Sequence, residues 1–251
     1  MADWIRLALG LAILLGISMA VLSMAGISQR RAVLSAALRA VVQLAVVAAA
    51  LRGVFAAPIA VVAVLIVMFG VASWTAARRL RTHPGAGRAV LIACAVGAAV
   101  TIGLIVGVPI LDRSVRVLVA VSGIVLGGTM TAAILTGRRI TDGLMRRRPE
   151  IEAWLALGAT PRQAARDIVR TAIFEALVPA IDQTRTVGLV SLPGAFIGAL
   201  LGGASATDAA RFQIIVLVGL LCAEALTACT LGYLLGAPNR VPEEVASAQL
   251  R

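Results

Sequence analysis

The residues that could do chemistry in this sequence are few and widely spaced. Glu224 is the only acidic residue deep in an apolar run, Cys222 and Cys229 stand seven apart and so share a helix face, and His83 is the lone histidine. On an ideal helix Glu224 points about 200° away from Cys222, and His83 sits in an arginine-rich turn. With Met19, Met24, Met68 or Met130 the two cysteines could line a soft-metal path, but these groups do not converge on a dedicated cage, and no metal site is assigned. The 23 basic residues are all arginine, whereas a Walker-type phosphate loop needs a lysine to reach the nucleotide. This chain therefore carries no cofactor of its own, and ATP with its Mg²⁺ could act only through another subunit. With one histidine and no H-E-x-x-H, neither a Ser-His dyad nor a zinc hydrolase follows, and no enzyme is expected.

Several residues remain as candidates for a path or gate. A carboxylate at bilayer depth costs roughly 3 kcal/mol on insertion scales unless paired, protonated or wetted, so Glu224 is a functional candidate, the alternative being a protonated acid bonded to a neighbouring helix. Gln43 is a weaker candidate of the same kind and reads first as an interhelical hydrogen bond. Asp182, Gln183 and Arg185 stand where a polar stretch meets an apolar one and could form a gate, or Asp182 could cap a helix. Gly194, Gly198 and Gly202 follow at i, i+4, i+8, a smooth ridge suited to close helix packing. Pro193 just before them would free a carbonyl and invite a hinge. Gly103, Gly107, Gly123, Gly127 and Gly128 repeat the small-residue theme.

The elements that position these groups are set by composition. The chain has 251 residues, of which 60% are hydrophobic and 14% charged, with a mean hydropathy of +0.99. Such a chain belongs in a bilayer, and the expectation is a single all-α domain over 1–251, a polytopic transmembrane bundle in the cell's inner (plasma) membrane. Seven runs are long enough to cross: 4–27, 33–51, 57–77, 89–110, 117–136, 186–203 and 212–236. The first reads as a retained helix rather than a cleaved leader. The run 40–77 is too long for one span and is expected to turn at Arg52-Gly53. Stretches 28–39, 78–88 and 138–185 and the tail after 236 hold eighteen arginines against five elsewhere, which puts them in the cytoplasm, the N-terminus outside and the C-terminus inside. The net charge of +11 is thus accounted for by topology and anionic lipid headgroups rather than by nucleic acid. Three cysteines, all in apolar runs, imply no disulfide framework.

One stretch resists the bilayer, "RRRPEIEAWLALGATPRQAARDIVR" from Arg146 to Arg170. Pro149 suits a first helical turn, and Glu150 and Glu152 sit at the favourable end of the helix dipole. Ile151, Trp154, Leu155 and Leu157 form an apolar stripe that stops at Gly158. Thr160, Pro161 and Gln163 then restart a helix as N-cap, N1 and N3 of a capping box. Two short helices with a turn between them could lie in the membrane interface, or could present a compact apolar tip to a partner's groove.

These residues resemble a known pattern. Glu152-Ala153-Trp154, three residues, Gly158, then Ile168 after nine, is similar to the E-A-A-x(3)-G-x(9)-I loop of ABC-importer permeases, with Trp154 in place of the second alanine. A longer resemblance covers nearly the whole chain: "IEAWLALGATPRQAARDIVR" followed by "PAIDQTRTVGLVSLPGAFIGALLGGASATDAARFQIIV" resembles the FetB-like family of ABC permeases, described as iron exporters, with plant relatives linked to aluminium tolerance. The resemblance implies a permease that pairs with a second copy of itself and with a separate ATP-binding ABC subunit. That subunit would grip a coupling helix at Glu152, Ala153, Trp154, Leu157, Gly158, Ala159, Thr160 and Pro161.

Overall fold

The computed structural model describes residues 1–54, 58–83, 85–108, 110–111 and 114–237. Regular structure among them is helical, in the order α1 (Ala2–Met24), α2 (Arg30–Val54), α3 (Pro58–Arg79), α4 (Ala86–Gly107), α5 (Val115–Arg146), α6 (Arg148–Ala156), α7 (Pro161–Ala164), α8 (Arg166–Thr186), α9 (Gly194–Leu201) and α10 (Ala206–Leu235). Among the described residues the only bridge is an isolated one between Val187 and Ser191. Helices α1 to α5 and α10 are each long and apolar enough to span a membrane, so this is a polytopic, multi-pass, all-α membrane protein, as its composition implied.

The chain forms two compact units, residues 1–60 and 61–251. In the first, α1 and α2 leave no residue of their most apolar stretches buried, which suits helices whose surroundings are lipid tails. Gln43 lies on exposed α2. The long apolar run does divide, but later than expected. Arg52 and Gly53 belong to the last turn of α2, and α3 restarts at Pro58, a residue whose fixed φ suits a first helical position. Residues 55–57 lie outside the described residues.

The second unit is built where glycines let helices touch backbone to backbone. A Cβ on Gly97 of α4 would run into the Thr227 hydroxyl and sit 2.7 Å from the Ala223 carbonyl oxygen of α10. A Cβ on Gly128 of α5 would strike Leu220 and lie 3.0 Å from Glu224 Oε1, and one on Gly137 would collide with Leu80. Around these approaches the core collects Ala93, Cys94, Ala133, Ile140, Leu144 and Leu231, all fully buried. Thr129 and Thr227 return their hydroxyls to carbonyls of their own helices at 2.9 and 2.8 Å, which removes the cost of burying them. Gly97→Leu is therefore expected to destabilise the bundle by about 1–3 kcal/mol through overpacking. Gly103→Leu, at a site with nothing within 4 Å of an added Cβ, should be neutral. Thermal melts of the two purified variants decide it, and equal midpoints would overturn this account of the core.

The order of contacts along the helices fixes their directions. Gly128 meets Leu220 near the middle of both helices, and Ile140 and Leu144 share a core with Leu231 and Leu235 toward their C-terminal ends, so α5 and α10 run parallel. The chain between them must therefore return across the thickness of the bundle. It does so through α8, which is antiparallel to both. Ile168 packs on Gly143 while Glu175 pairs with Arg139 at 3.2 Å, and Val169 and Ile173 pack on Gly236 and Gly232. The crossing expected at 186–203 thus begins about one whole helix earlier and is discontinuous. It comprises α8, an irregular link over 187–193, and the eight-residue α9. Of the stretch expected to be a cytoplasmic loop over 138–185, residues 138–146 belong to α5 and 166–185 to α8, which leaves 147–165 for the α6–α7 elbow. The physical reason is polarity: Asp167, Arg170, Glu175, Asp182, Gln183 and Arg185 make α8 look like loop to any reading that seeks apolar runs.

Candidate functional site, an exposed elbow joined to a broken crossing

The elbow is held by local chemistry that the sequence shows directly. Arg147 donates from Nε and Nη2 to both oxygens of Glu150 at 2.7 and 2.6 Å, and Arg148 donates to Glu152 at 2.8 Å. These carboxylates raise the pKa of both guanidinium groups above the ordinary arginine value. Helix α6 ends in a Schellman motif. Gly158 N–H bonds the Leu155 carbonyl and Ala159 N–H bonds the Trp154 carbonyl, both at 3.0 Å, with Gly158 at φ +88°. That left-handed conformation favours glycine. The capping box then forms as expected, Gln163 N–H to Thr160 Oγ1 at 3.3 Å and Thr160 N–H to Gln163 Oε1 at 2.8 Å.

One side of the elbow is anchored and the other is bare. Ile151 is buried with Leu144, Ala164, Ala165, Ile168 and Leu235, and Arg162 stacks its guanidinium 3.9 Å from the Tyr233 ring while donating to the Tyr233 carbonyl at 3.2 Å. Opposite them Trp154 and Leu155 are exposed and Leu157 is 81% exposed. A tip of this kind, with large apolar groups outside and a rigid turn behind, suits a docking knob. Helix α7 ends at Ala164 and α8 starts at Arg166, with fully buried Ala165 between them, so the tip joins α8 without an intervening loop.

At its far end α8 brings the gate candidates together. Asp182 and Arg185 pair at 3.6 Å with both side chains largely exposed, and Gln183 lies exposed beside them. Asp182 stands in the last turn of α8, so it is not an N-cap. Seven residues beyond Glu175, it sits about 10 Å further along α8 than the Arg139–Glu175 pair. The link that follows turns on Gly188 at φ +81°, whose N–H bonds the Ser191 carbonyl at 2.9 Å. Pro193 is the N-cap of α9 rather than a kink inside a helix. Leu189, Val190 and Leu192 are exposed.

The other candidates fall elsewhere. Gly194 and Gly198 would accept a Cβ with nothing within 4 Å, and Gly202 would meet only carbonyls of its own helix. The ridge therefore packs against no other helix among the described residues. Glu224 is 7% exposed, lodged against Gly128 between α10 and α5, away from the exposed pair on α8. Cys94 is buried, Cys222 half-buried and Cys229 exposed. Cys222 lines an apolar cavity of about 340 Å³ between α4 and α10, with Thr101, Ile105, Ile214, Val218 and Gly219. Among the described residues no three His, Cys, Asp or Glu side chains gather to hold a metal ion. Sequence reasoning missed Ile151 as anchor, the Arg139–Glu175 pair and the Arg162–Tyr233 clamp. The first two follow helical spacing once α8 is recognised, while the clamp joins residues 71 apart and leaves no local signal.

Residues 4–237 match the model of the family described as Uncharacterised protein family (UPF0014). The chain belongs to this family. It is 35% identical to "UPF0014 membrane protein STAR2" of Oryza sativa subsp. japonica, over 78% of this chain and 70% of that one. It is 34% identical to "Protein ALUMINUM SENSITIVE 3" of Arabidopsis thaliana, over 66% and 61%. It is 32% identical to "Probable iron export permease protein FetB" of Escherichia coli K12, over 78% and 77%. The resemblance drawn from the elbow and from the Asp182–Gly194 run is to this family. No solved structure matches.

Proposed function

We propose that this chain is the membrane-spanning permease subunit of an ABC transporter in the cell's inner membrane. It exports a metal, with iron the first candidate, and is driven by a separate subunit that binds ATP and Mg²⁺. One observation carries the reading: an exposed apolar tip on a capped turn is continuous with a polar helix, α8, that is followed by a break and the short α9. Discontinuous helices with charged groups at depth are how transporters build a path. An exposed ion pair at that depth is too costly to face lipid, so it faces water or another chain. The name of the Escherichia coli relative supports iron export. Two copies of this chain would line the path with the Asp182–Arg185 faces, and the bare Gly194–Gly198 ridge offers a surface for the second copy to approach. Closure of the ATP-binding subunits on the tip would drive α8 along α5 and α10 and change the opening at 187–193.

The test is co-purification with the ATP-binding protein encoded nearest the gene, in wild type and in a Glu152→Arg/Gly158→Val variant, with ATPase activity read with and without ferrous iron. A complex lost in the variant is the expected result, and iron stimulation would assign the cargo. Absence of any ATPase partner would instead favour an ion-coupled carrier centred on the polar break and Glu224.

A further inference from the structure

A cavity of about 170 Å³ lies between the start of α8 and the end of α10 and takes no part in the path or the tip. Arg162, Arg166 and Arg170 line it together with Tyr233, Gly232 and Gly236, and no carboxylate lines it among the described residues. Arg162 is already oriented by its stacking on Tyr233 and its bond to the Tyr233 carbonyl. Arg166 and Arg170 stand one turn apart on one helix face, and none of the three takes part in an ion pair among the described residues. Three positive charges thus surround one recess, and among the described residues no carboxylate pairs with them.

A second cavity shows what balance looks like. Between α5 and α8, Arg139, Arg146 and Arg147 line a recess of about 160 Å³, but Asp142 and Glu175 line it too. Arg139 there is paired with Glu175 and Arg147 with Glu150. That recess is neutralised from within, and among the described residues the one on α10 is not.

Depth names the ligand. From Arg211, at the start of α10, to Tyr233 is about 33 Å along the helix, close to the roughly 30 Å of bilayer hydrocarbon. Tyr233 therefore sits at the headgroup level, where aromatic rings concentrate, and the arginines open onto the cytoplasmic leaflet, whose anionic lipids attract such groups. We propose that Arg162, Arg166 and Arg170 bind the phosphate of an anionic phospholipid headgroup. The lipid would brace the end of α10 against the root of the elbow, because Arg162 belongs to α7 and Arg166 opens α8. This site stands whether or not the chain is an ABC permease.

The full-length protein in detergent is titrated by calorimetry with dihexanoyl phosphatidylglycerol, dihexanoyl phosphatidylcholine and inorganic phosphate. Saturable binding of phosphatidylglycerol is expected, with phosphatidylcholine and inorganic phosphate each about tenfold weaker or more. Arg166→Gln/Arg170→Gln should weaken phosphatidylglycerol binding about tenfold, whereas Arg138→Gln/Arg146→Gln, an equal loss of charge on the same side, should leave it unchanged. Equal loss in both double variants would mean bulk charge and overturn the site, as would equal affinity for phosphatidylcholine. Displacement of the lipid by inorganic phosphate at like concentration would keep the phosphate chemistry but overturn the lipid as its source. If Arg166→Gln/Arg170→Gln elutes as aggregate, Arg170→Gln alone is titrated, and unchanged affinity there counts equally against the proposal.

Discussion

Replacing Gly158 by valine is expected to weaken the coupling of ATP hydrolysis to transport severely while the protein still inserts in the membrane and folds. The reason is local. Gly158 occupies φ +88°, where a β-branched residue costs about 1–2 kcal/mol, and an added Cβ meets no neighbour, so the penalty is conformational rather than steric. The turn relieves it by leaving the left-handed region. That breaks the bonds from Gly158 to Leu155 and from Ala159 to Trp154 and swings Leu157 and Trp154 away from the direction the Schellman motif gives them. The bundle is indifferent, because the anchors Ile151 and Arg162 lie outside the turn, one on each side of it. Coupling between ATP hydrolysis and transport should fall by about the 5–150-fold that an allosteric linkage is worth. Gly158→Asn supplies the control, since asparagine tolerates the left-handed region and should retain coupling. The measurement is ATP hydrolysed per metal ion moved by the reconstituted complex. A valine variant as well coupled as the asparagine variant would remove the tip from the mechanism.

How much of this was legible in the sequence depends on how local the cause is. The elbow was readable almost residue by residue, because Thr160, Pro161, Gln163 and Gly158 act within a single turn and their types leave few alternatives. The five long apolar helices before the elbow and α10 after it were readable because the bilayer imposes length and composition. Helix α8 was not, since its apolar residues Ile168, Ala172, Ala176 and Ala180 are buried against α5 and α10 while the remaining faces are polar. A hydropathy reading averages the two faces and sees a loop. The glycines divide the same way. Gly194, Gly198 and Gly202 advertise a ridge by spacing yet meet no other helix among the described residues, whereas Gly97, Gly137 and Gly232 carry close approaches that only the facing helix reveals. Glu224 was visible as an anomaly, but its burial against Gly128 rather than exposure beside Asp182 depends on the rotation of α10 about its axis.

That separation of Glu224 from Asp182 leads to the second large effect, at the polar break. Asp182→Asn should reduce transport at least about tenfold while co-purification with an ATPase survives, because the substitution lies at the end of α8 remote from the tip. On the proposed path it leaves Arg185 without its partner, and an uncompensated cation inside a membrane costs roughly 2.5–3.5 kcal/mol. If the two residues act as a gate-closing pair, Arg185→Gln should impair transport similarly, and the Asp182→Asn/Arg185→Gln variant should be no worse than either alone, with a coupling energy of about 0.5–3 kcal/mol. If Asp182 instead attracts a passing cation, Arg185→Gln should leave transport intact or raise it, and the double variant should resemble Asp182→Asn. Either pattern keeps the broken crossing on the path. Wild-type transport by both single variants would not, for an exposed ion pair that can be removed from membrane depth without consequence gates nothing, and the path would then have to lie on another face of the bundle.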